Sequence, residues 1–297
     1  MQITIDNNQV AGLSNLSNFP VLINVSDGDL RNVTNNGMVE NINGDDFRFT
    51  SSDMTTLLDF EIESYDESTG TLIAWVKVPV LDYNDDTNLF LYFGNSSASD
   101  YPNPENTWSS NYVGVWHLHD DFDDATSLSL NGINNGSSDI IGKIADGQSF
   151  SEVGPDYIDL SNPAALNFGA GNWTLSSWIT TTANGQRNIF SNGGDNANGI
   201  RYVMALGENG LDGMATITVD DNTSAPPKYQ AQAEVPSLPS NDGAWHHVSA
   251  VRTGSTIRIY VDGIEEDLNN NLPVGYDLSG TSQRNAYIGV GVSQPTG

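Results

Sequence analysis

Short runs of alternating apolar and polar residues, bounded by glycine, asparagine and aspartate, recur along the chain. In TLIAWVKV, residues 71–78, one face of an extended chain would carry Leu, Ala, Val and Val, while Ile, Trp and Lys would lie on the other. The same two-residue period occurs in TIRIYVDG, residues 256–263, where Asp-Gly adds a hairpin signal. The pattern predicts an all-β protein, because stretches with a helical period are almost absent.

One segment interrupts the pattern and divides the chain. Residues 95–111, NSSASDYPNPENTWSSN, are rich in Ser, Asn and Pro and show no periodicity. A chain of 297 residues is long enough to bury two cores. We therefore expect two antiparallel β-sandwich domains, residues 1–94 and 112–297, with residues 95–111 as the linker.

The charge balance restricts the partners of the protein. The chain has 38 acidic and 10 basic residues and a formal net charge of −28, so we expect no nucleic-acid partner. No apolar stretch of about 18 residues occurs, so we expect no membrane insertion. Without cysteine the chain has no disulfide and no thiolate metal site. Solubility in a salty medium and binding of divalent cations both remain explanations of the acidity.

The four histidines are candidate metal ligands. His246 and His247 are adjacent, so on a strand they point to opposite faces and cannot chelate one ion together. We expect His247 to be hydrogen-bonded inside the sheet. His117 and His119 are two residues apart on a predicted strand, which is a chelating geometry, and the alternative is a structural or solvent-facing role.

The densest carboxylate cluster is the sequence DDFDD, which follows these histidines. It is a candidate calcium site, although it lacks the glycine of an EF-hand loop, and the alternative is a solvated acidic turn. We expect no cofactor other than calcium. The candidate ligands are Asp120, Asp121, Asp123 and Asp124.

Two aromatic residues are candidates for ligand binding. Trp178 shares a predicted strand face with Thr174 and Ser176, and this face is either presented outward or covered by a loop or partly buried in the core. Tyr260 shares a face with Arg258. Exposed aromatic rings stack on sugars, so these positions favour a carbohydrate ligand.

Catalysis has weaker support. In EIESYDE, residues 61–67, the glutamates alternate, and glycoside hydrolases need two carboxylates across a cleft. This stretch lies in the first domain, however, and the sequence contains neither a nucleophile elbow nor a phosphate-binding loop. We predict that the protein is not an enzyme, with glycoside hydrolase as the alternative.

The second domain resembles a known family. DGAWHHVSAVRTGSTIRIYVDG, with NWTLSSWITT and GKIADGQSF upstream, is similar to the concanavalin A-like jelly roll of laminin-G type, over roughly residues 112–292. The resemblance implies a sandwich that often binds calcium. In that family a further strand normally follows the region that matches AYIGVGV. We therefore expect this jelly roll to lack its last strand and the chain to be a fragment of a longer protein, with an open sheet edge available for self-association. The alternative is that another segment completes the sheet.

The first domain resembles domain of unknown function 2341. The similarity rests on ITIDNNQVAGLSNLSNFPVLINVSDGDL, NGDDFRFTSSDMTTLLDFEIESYD, GTLIAWVKVPVL and TNLFLYFGN, and spans about residues 2–94. The order of the two domains is usual in large secreted or surface proteins of prokaryotes, so the resemblance implies an extracellular or cell-surface location.

These observations lead to one functional hypothesis and two alternatives. We expect a non-catalytic adhesion or binding segment that recognises glycans or neighbouring surface proteins, assisted by calcium. The first alternative is a structural spacer or subunit of a surface adhesin or extracellular filament. The second is a glycoside hydrolase.

Overall fold

The computed structural model describes residues 1–99, 103–151, 156–193, 199–208, 211–221, 229–232, 239–266, 272, 278–282 and 284–289. The chain divides into two compact units: the first comprises Met1–His117 and Asp123–Ser129, and the second comprises Leu118–Phe122 and Leu130–Gly297. Antiparallel strands dominate both units, which confirms the all-β prediction. Among the described residues no helix is long and apolar enough to cross a membrane.

The first unit consists of two three-stranded antiparallel sheets, with the strand orders β1-β6-β3 and β2-β5-β4. Its core includes Phe49 and Leu91 from one sheet and Phe60 and Val76 from the other. Short 3-10 helices span Asn7–Gln9, Gly28–Leu30 and Val33–Asn35, and α1 spans Pro104–Thr107. The strands are β1 (Gln2–Ile5), β2 (Leu16–Ser26), β3 (Arg48–Thr50), β4 (Phe60–Asp66), β5 (Thr71–Leu81) and β6 (Thr87–Tyr92).

Strands β4 and β5 form a hairpin, and β5 alternates as its sequence predicts. Leu72, Ala74, Val76 and Val78 are buried, whereas the residues between them lie on the opposite face. The turn closes at Gly70, which has a φ of +76° and packs so tightly that a Cβ atom would overlap the carbonyl oxygen of Asp27.

A β-bulge in β4 changes which residues face the core. Ile62 pairs with Ala74 and Ser64 pairs with Ile73, so Glu63 is the extra residue. Beyond the bulge Tyr65 turns inward, where its ring contacts Phe47 edge-on. Without the bulge, strict alternation would place Tyr65 on the same outward face as Glu61 and Glu63.

Residues 103–117, here called the covering segment, lie on the first unit. Asn103 donates a backbone hydrogen bond to Phe60 (2.9 Å), and the Lys77 ammonium donates to the carbonyl of Asn106 (2.6 Å). The segment includes the C-terminal part of the predicted linker and continues to His117. Since Lys77 lies on the outward face of β5, the covering segment packs on the side of the sheet that is opposite to the core.

The second unit is a sandwich of a seven-stranded and a four-stranded antiparallel sheet, with the orders β15-β14-β13-β12-β19-β10-β7 and β11-β16-β17-β18. Its strands are β7 (Ile133–Asn135), β8 (Ser138–Ile141), β9 (Asp146–Ser149), β10 (Tyr157–Asp159), β11 (Trp173–Ile179), β12 (Arg187–Asn192), β13 (Arg201–Leu206), β14 (Ala215–Asp220), β15 (Tyr229–Gln232), β16 (His246–Thr253), β17 (Thr256–Val261), β18 (Ile264–Glu265) and β19 (Ala286–Ile288). A 3-10 helix spans Ala164–Leu166, and β8 and β9 form a separate hairpin.

The core of this unit lies between its two sheets. Tyr202 and Ile217 of the larger sheet and Val248 and Ile259 of the smaller sheet belong to one buried cluster. Burying such apolar side chains stabilises the fold by about 25 cal/mol per Å² removed from water.

The last described strand, β19, lies inside the larger sheet between β10 and β12. It contains the start of AYIGVGV, and residues 290–297 lie outside the described residues. The missing last strand, with the self-association that we expect from it, therefore stays a prediction.

Candidate functional site

The outward surface of β11, β16 and β17 brings the two predicted aromatic residues together. We call this surface the Trp178 face. Trp178 pairs with His247 of β16, and Ser249 of β16 pairs with Tyr260 of β17. Trp178 and Tyr260 are thus on strands that flank β16, and two strand spacings with an offset of two residues place their Cα atoms about 12 Å apart. The indole of Trp178 is 38% exposed, as the outward orientation requires.

Alternation in each strand explains this arrangement. In β11 the residues Thr174, Ser176 and Trp178 are exposed, whereas Trp173 is buried. In β17 the apolar Ile257, Ile259 and Val261 are buried, which leaves Arg258 and Tyr260 on the other side.

His247 extends the aromatic surface next to Trp178. Their ring centroids are 5.2 Å apart, with an angle of 59° between the planes. Burial lowers the pKa of His247, and the negative charge of Asp262 offsets this only in part. The imidazole is therefore neutral at neutral pH and packs on the indole as an uncharged ring.

Lys143 lies above the indole ring of Trp178. It belongs to the turn between β8 and β9, and its Nζ is 5.1 Å from the centroid of the Trp178 ring. This is the geometry of a cation–π contact. The hairpin of β8 and β9 thus places an ammonium group on the exposed indole.

At the other end of the Trp178 face, Arg258 donates a hydrogen bond from Nε to Glu265 of β18 (3.0 Å). Burial raises the pKa of Tyr260, and the charge of Glu265 raises it further. The phenol stays protonated at neutral pH and can both donate and accept hydrogen bonds.

The histidine that is buried and hydrogen-bonded in the sheet is His246, and not His247 as expected from the sequence. The imidazole of His246 is bonded to Asp262 (2.8 Å) and Asp242 (3.1 Å). Burial alone would lower the pKa of His246, but these two carboxylates outweigh it and raise the pKa. The expectation for His247 was wrong because alternation fixes opposite faces without saying which face is inward.

The predicted calcium ligands are divided between the two units. Asp120 and Asp121 belong to the second unit, and Asp123 and Asp124 belong to the first. Asp124 is buried and accepts hydrogen bonds from the backbone of Val115 (2.9 Å) and from the backbone (3.0 Å) and hydroxyl (2.9 Å) of Thr126. These bonds order a turn. Calcium binding by this loop stays a prediction.

His117 and His119 do not share a strand face, because residues 112–119 form no strand and Leu118 has a φ of +59°. His119 lies instead with Asp120 and Asp146, and one ligand atom from each of these three residues lies within 4.8 Å of the others. Both ring nitrogens of His119 are 3.1 Å from these carboxylates. A His-Asp-Asp group of this kind is a possible set of metal ligands, with Asp120 as the member shared with the predicted site.

His117 belongs to a charged cluster on the first unit that sequence reasoning did not foresee. It donates hydrogen bonds to Glu63 (2.6 Å) and Glu61 (3.1 Å), and each carboxylate also accepts one from an indole: Glu63 from Trp75 and Glu61 from Trp108, both 2.8 Å. Burial alone would lower the pKa of His117, but both carboxylates raise it to about 10. We call these five residues the His117 cluster.

The geometry of the His117 cluster argues against the alternative that the protein is a glycoside hydrolase. Glu61 and Glu63 do share a strand face, as the sequence suggested, but the covering segment lies on that face. Each carboxylate is committed to an imidazolium and an indole. Retaining glycosidases instead keep two carboxylates available on either side of a substrate. From the sequence, the His117 cluster could have been found only through the pairing of Glu61 with Trp75 on neighbouring strands.

Comparison with known families confirms the predicted architecture. Residues 43–134 match the domain of unknown function DUF2341. Residues 152–296 match the concanavalin A-like lectin/glucanases superfamily, in its laminin-G-type form. The chain therefore carries these two modules in the predicted order. No curated protein is significantly similar to the chain.

Several solved structures share distant similarity with the chain. Domain 4 of the extracellular arabinanase AbnA from Geobacillus stearothermophilus, solved with arabinotriose, is 18% identical with a TM-score of 0.44, over 59% of this chain and 81% of that one. Domains LG4-5 of the mouse laminin α1 chain are 18% identical with a TM-score of 0.31, over 40% and 28%. The CBM40 of the Ruminococcus gnavus IT-sialidase, bound to α2,6-sialyllactose, is 14% identical with a TM-score of 0.34, over 54% and 79%.

Proposed function

We propose that the protein is a non-catalytic module that binds glycans through the Trp178 face and acts outside the cell or at its surface. The observation that carries this proposal is the placement of Trp178 and Tyr260 on one outward sheet face, with His247 between their strands. The superfamily match, whose description includes lectins, supports the same class of function.

The chemistry of the face suits a sugar. Pyranose rings present C–H groups that pack on aromatic faces, and their hydroxyls need nearby hydrogen-bonding partners. Ser176 and Ser249 supply hydroxyls between the two aromatic residues, because they pair with each other on β11 and β16. A flat platform of this type binds a chain of sugars without surrounding it.

Substitution of the indole tests the proposal. We expect Trp178→Ala to weaken binding to a glycan selected on an array by about tenfold or more, which corresponds to about 1.4 kcal/mol. Phe19→Ala is the matched control, because Phe19 is an aromatic residue on the first unit with similar exposure, 41%. Isothermal titration calorimetry gives the affinities. Equal affinities of the wild type and Trp178→Ala would exclude the Trp178 face as the binding surface.

We further propose that calcium assists this binding. Calcium assistance is tested by repeating the titration with calcium chloride and with EDTA, and unchanged affinity would remove calcium from the proposal. Binding to neighbouring surface proteins is the alternative kind of partner. It predicts that the affinity for such a protein is insensitive to Trp178→Ala.

A further inference from the structure

The Trp178 face differs in charge from the rest of the protein. The chain has 38 acidic and 10 basic residues, yet β11, β16 and β17 contain no Asp or Glu. The nearest strand with a carboxylate on this side is β18, where Glu265 is paired with Arg258. At the border of the face Asp262 accepts hydrogen bonds from the ring of His246 and the backbone of His247. The face thus carries few charges for a strongly acidic protein.

Lys143 adds a positive charge to this patch. In the part of the chain that the structure describes, its ammonium has a ring contact with Trp178 and no ion-pair partner. Lys77 and Arg258, by contrast, are paired with carboxylates, Asp59 at 3.7 Å and Glu265 at 3.0 Å. A cation–π contact at an exposed site is weak. The ammonium can therefore exchange the ring for a stronger anionic partner at little cost.

We propose that the Trp178 face selects glycans that carry carboxylate groups and that Lys143 pairs with the carboxylate. This inference rests on the proposed function and names the class of its ligand. A uronic or other acidic sugar stacked on Trp178 brings its carboxylate within reach of the Lys143 ammonium, which has a flexible four-carbon stem.

The net charge of −28 does not prevent this selection. At physiological ionic strength the Debye length is about 8 Å, so carboxylates elsewhere on the protein are largely screened. Groups within that distance decide the sign of the interaction. Next to Trp178 these groups are Lys143 and the Asp262 carboxylate, which is hydrogen-bonded to the ring of His246 and the backbone of His247.

The experiment compares matched polysaccharides that differ only in charge. Polygalacturonate, alginate and hyaluronan are each tested beside their carboxyl-reduced forms, in which the uronate becomes a neutral hexose. The proteins are the wild type, Lys143→Gln, Lys143→Arg and Trp178→Ala. We expect the wild type to bind at least one acidic polymer about tenfold more tightly than its reduced form at physiological salt.

The variants separate this inference from the proposed function. Lys143→Gln should bring the acidic and reduced forms to within about threefold of each other, while Lys143→Arg keeps the preference and Trp178→Ala weakens both. Thermal unfolding verifies that the exposed substitutions leave the fold intact. Equal wild-type affinity for both forms, or a preference that survives in Lys143→Gln, overturns the inference while sensitivity to Trp178→Ala still supports glycan binding. A wild type that binds none of these polymers and no glycan on an array overturns both.

Discussion

The imidazole of His117 lies 2.6 Å from the carboxylate of Glu63, whose side chain is only 2% exposed. The second ring nitrogen bonds to Glu61, so the imidazolium is held between two carboxylates. These contacts attach the end of the covering segment to the outward face of β4. The stability of the first unit therefore depends on the charge of a single histidine.

The first prediction concerns pH. The pKa of His117 rises from 6.5 to about 10 in the folded protein, so its stabilisation is complete below pH 6.5 and is lost as the pH rises towards 10. At about 1.4 kcal/mol per pKa unit the loss amounts to as much as about 5 kcal/mol. Urea unfolding followed by far-ultraviolet circular dichroism across this range measures it.

The control for this experiment is His117→Gln. Tyrosine and lysine side chains also titrate near the upper end of the range, so the difference in unfolding free energy between the two proteins is the relevant quantity. That difference should shrink as the pH approaches 10. A constant difference would mean that the protonation of His117 contributes nothing to stability.

The second prediction isolates the buried carboxylate. Glu63→Gln removes the charge opposite the imidazolium and should destabilise the first unit by about 3 kcal/mol, as expected for breaking a buried ion pair. Glu40→Gln makes the same chemical change at an exposed position and should cost less than about 0.5 kcal/mol. Urea unfolding at neutral pH compares the two, and equal costs would contradict the assigned role of Glu63.

The third prediction uses two glycines of the first unit that both have positive φ angles. A Cβ atom at Gly70 would overlap the backbone of Asp27, whereas a Cβ atom at Gly12 would meet nothing within 4 Å. Gly12→Ala should therefore cost only the backbone strain, about 1 kcal/mol, and Gly70→Ala should cost about 3 kcal/mol or more. Thermal unfolding distinguishes them, and similar losses of stability would mean that the turn can relax around the added methyl group.

The fourth prediction separates the adjacent histidines of β16. The pKa of His246 is raised and that of His247 is lowered, so in an NMR titration the two imidazoles should titrate on opposite sides of the ordinary value of 6.5. Asp262→Asn should lower both values, because the Asp262 carboxylate raises the pKa of each residue. The shift should be larger for His246, which also loses a hydrogen bond. Coincident titration curves in the wild type would contradict the assignment of an inward and an outward ring.

Local pattern was sufficient to predict the strands and the residues that share a face with Trp178, but it left open whether that face points outward. Alternation in β5 and β17 correctly separated the buried apolar residues from the polar ones, because both strands are half-buried and regular. The family resemblance added the order of the two modules. Neither the local pattern nor the family resemblance could predict contacts between side chains that are far apart in the sequence.

The His117 cluster illustrates what local pattern misses. Glu61 and His117 are 56 residues apart, and their contact depends on how the covering segment returns to the sheet. The bulge at Glu63 is equally invisible, since the sequence of β4 would alternate regularly without it. The predicted strand around His117 failed because the ion pairs and the positive φ of Leu118 compete with extended pairing.

The indole rings of Trp75 and Trp108 are 5.3 Å apart, and each is oriented by its own glutamate. Trp75 is part of β5, whereas Trp108 belongs to the covering segment. Two chromophores this close couple excitonically, so the first unit contains an intrinsic optical reporter of segment attachment. Release of the segment would abolish the coupled signal even while both sheets remain folded.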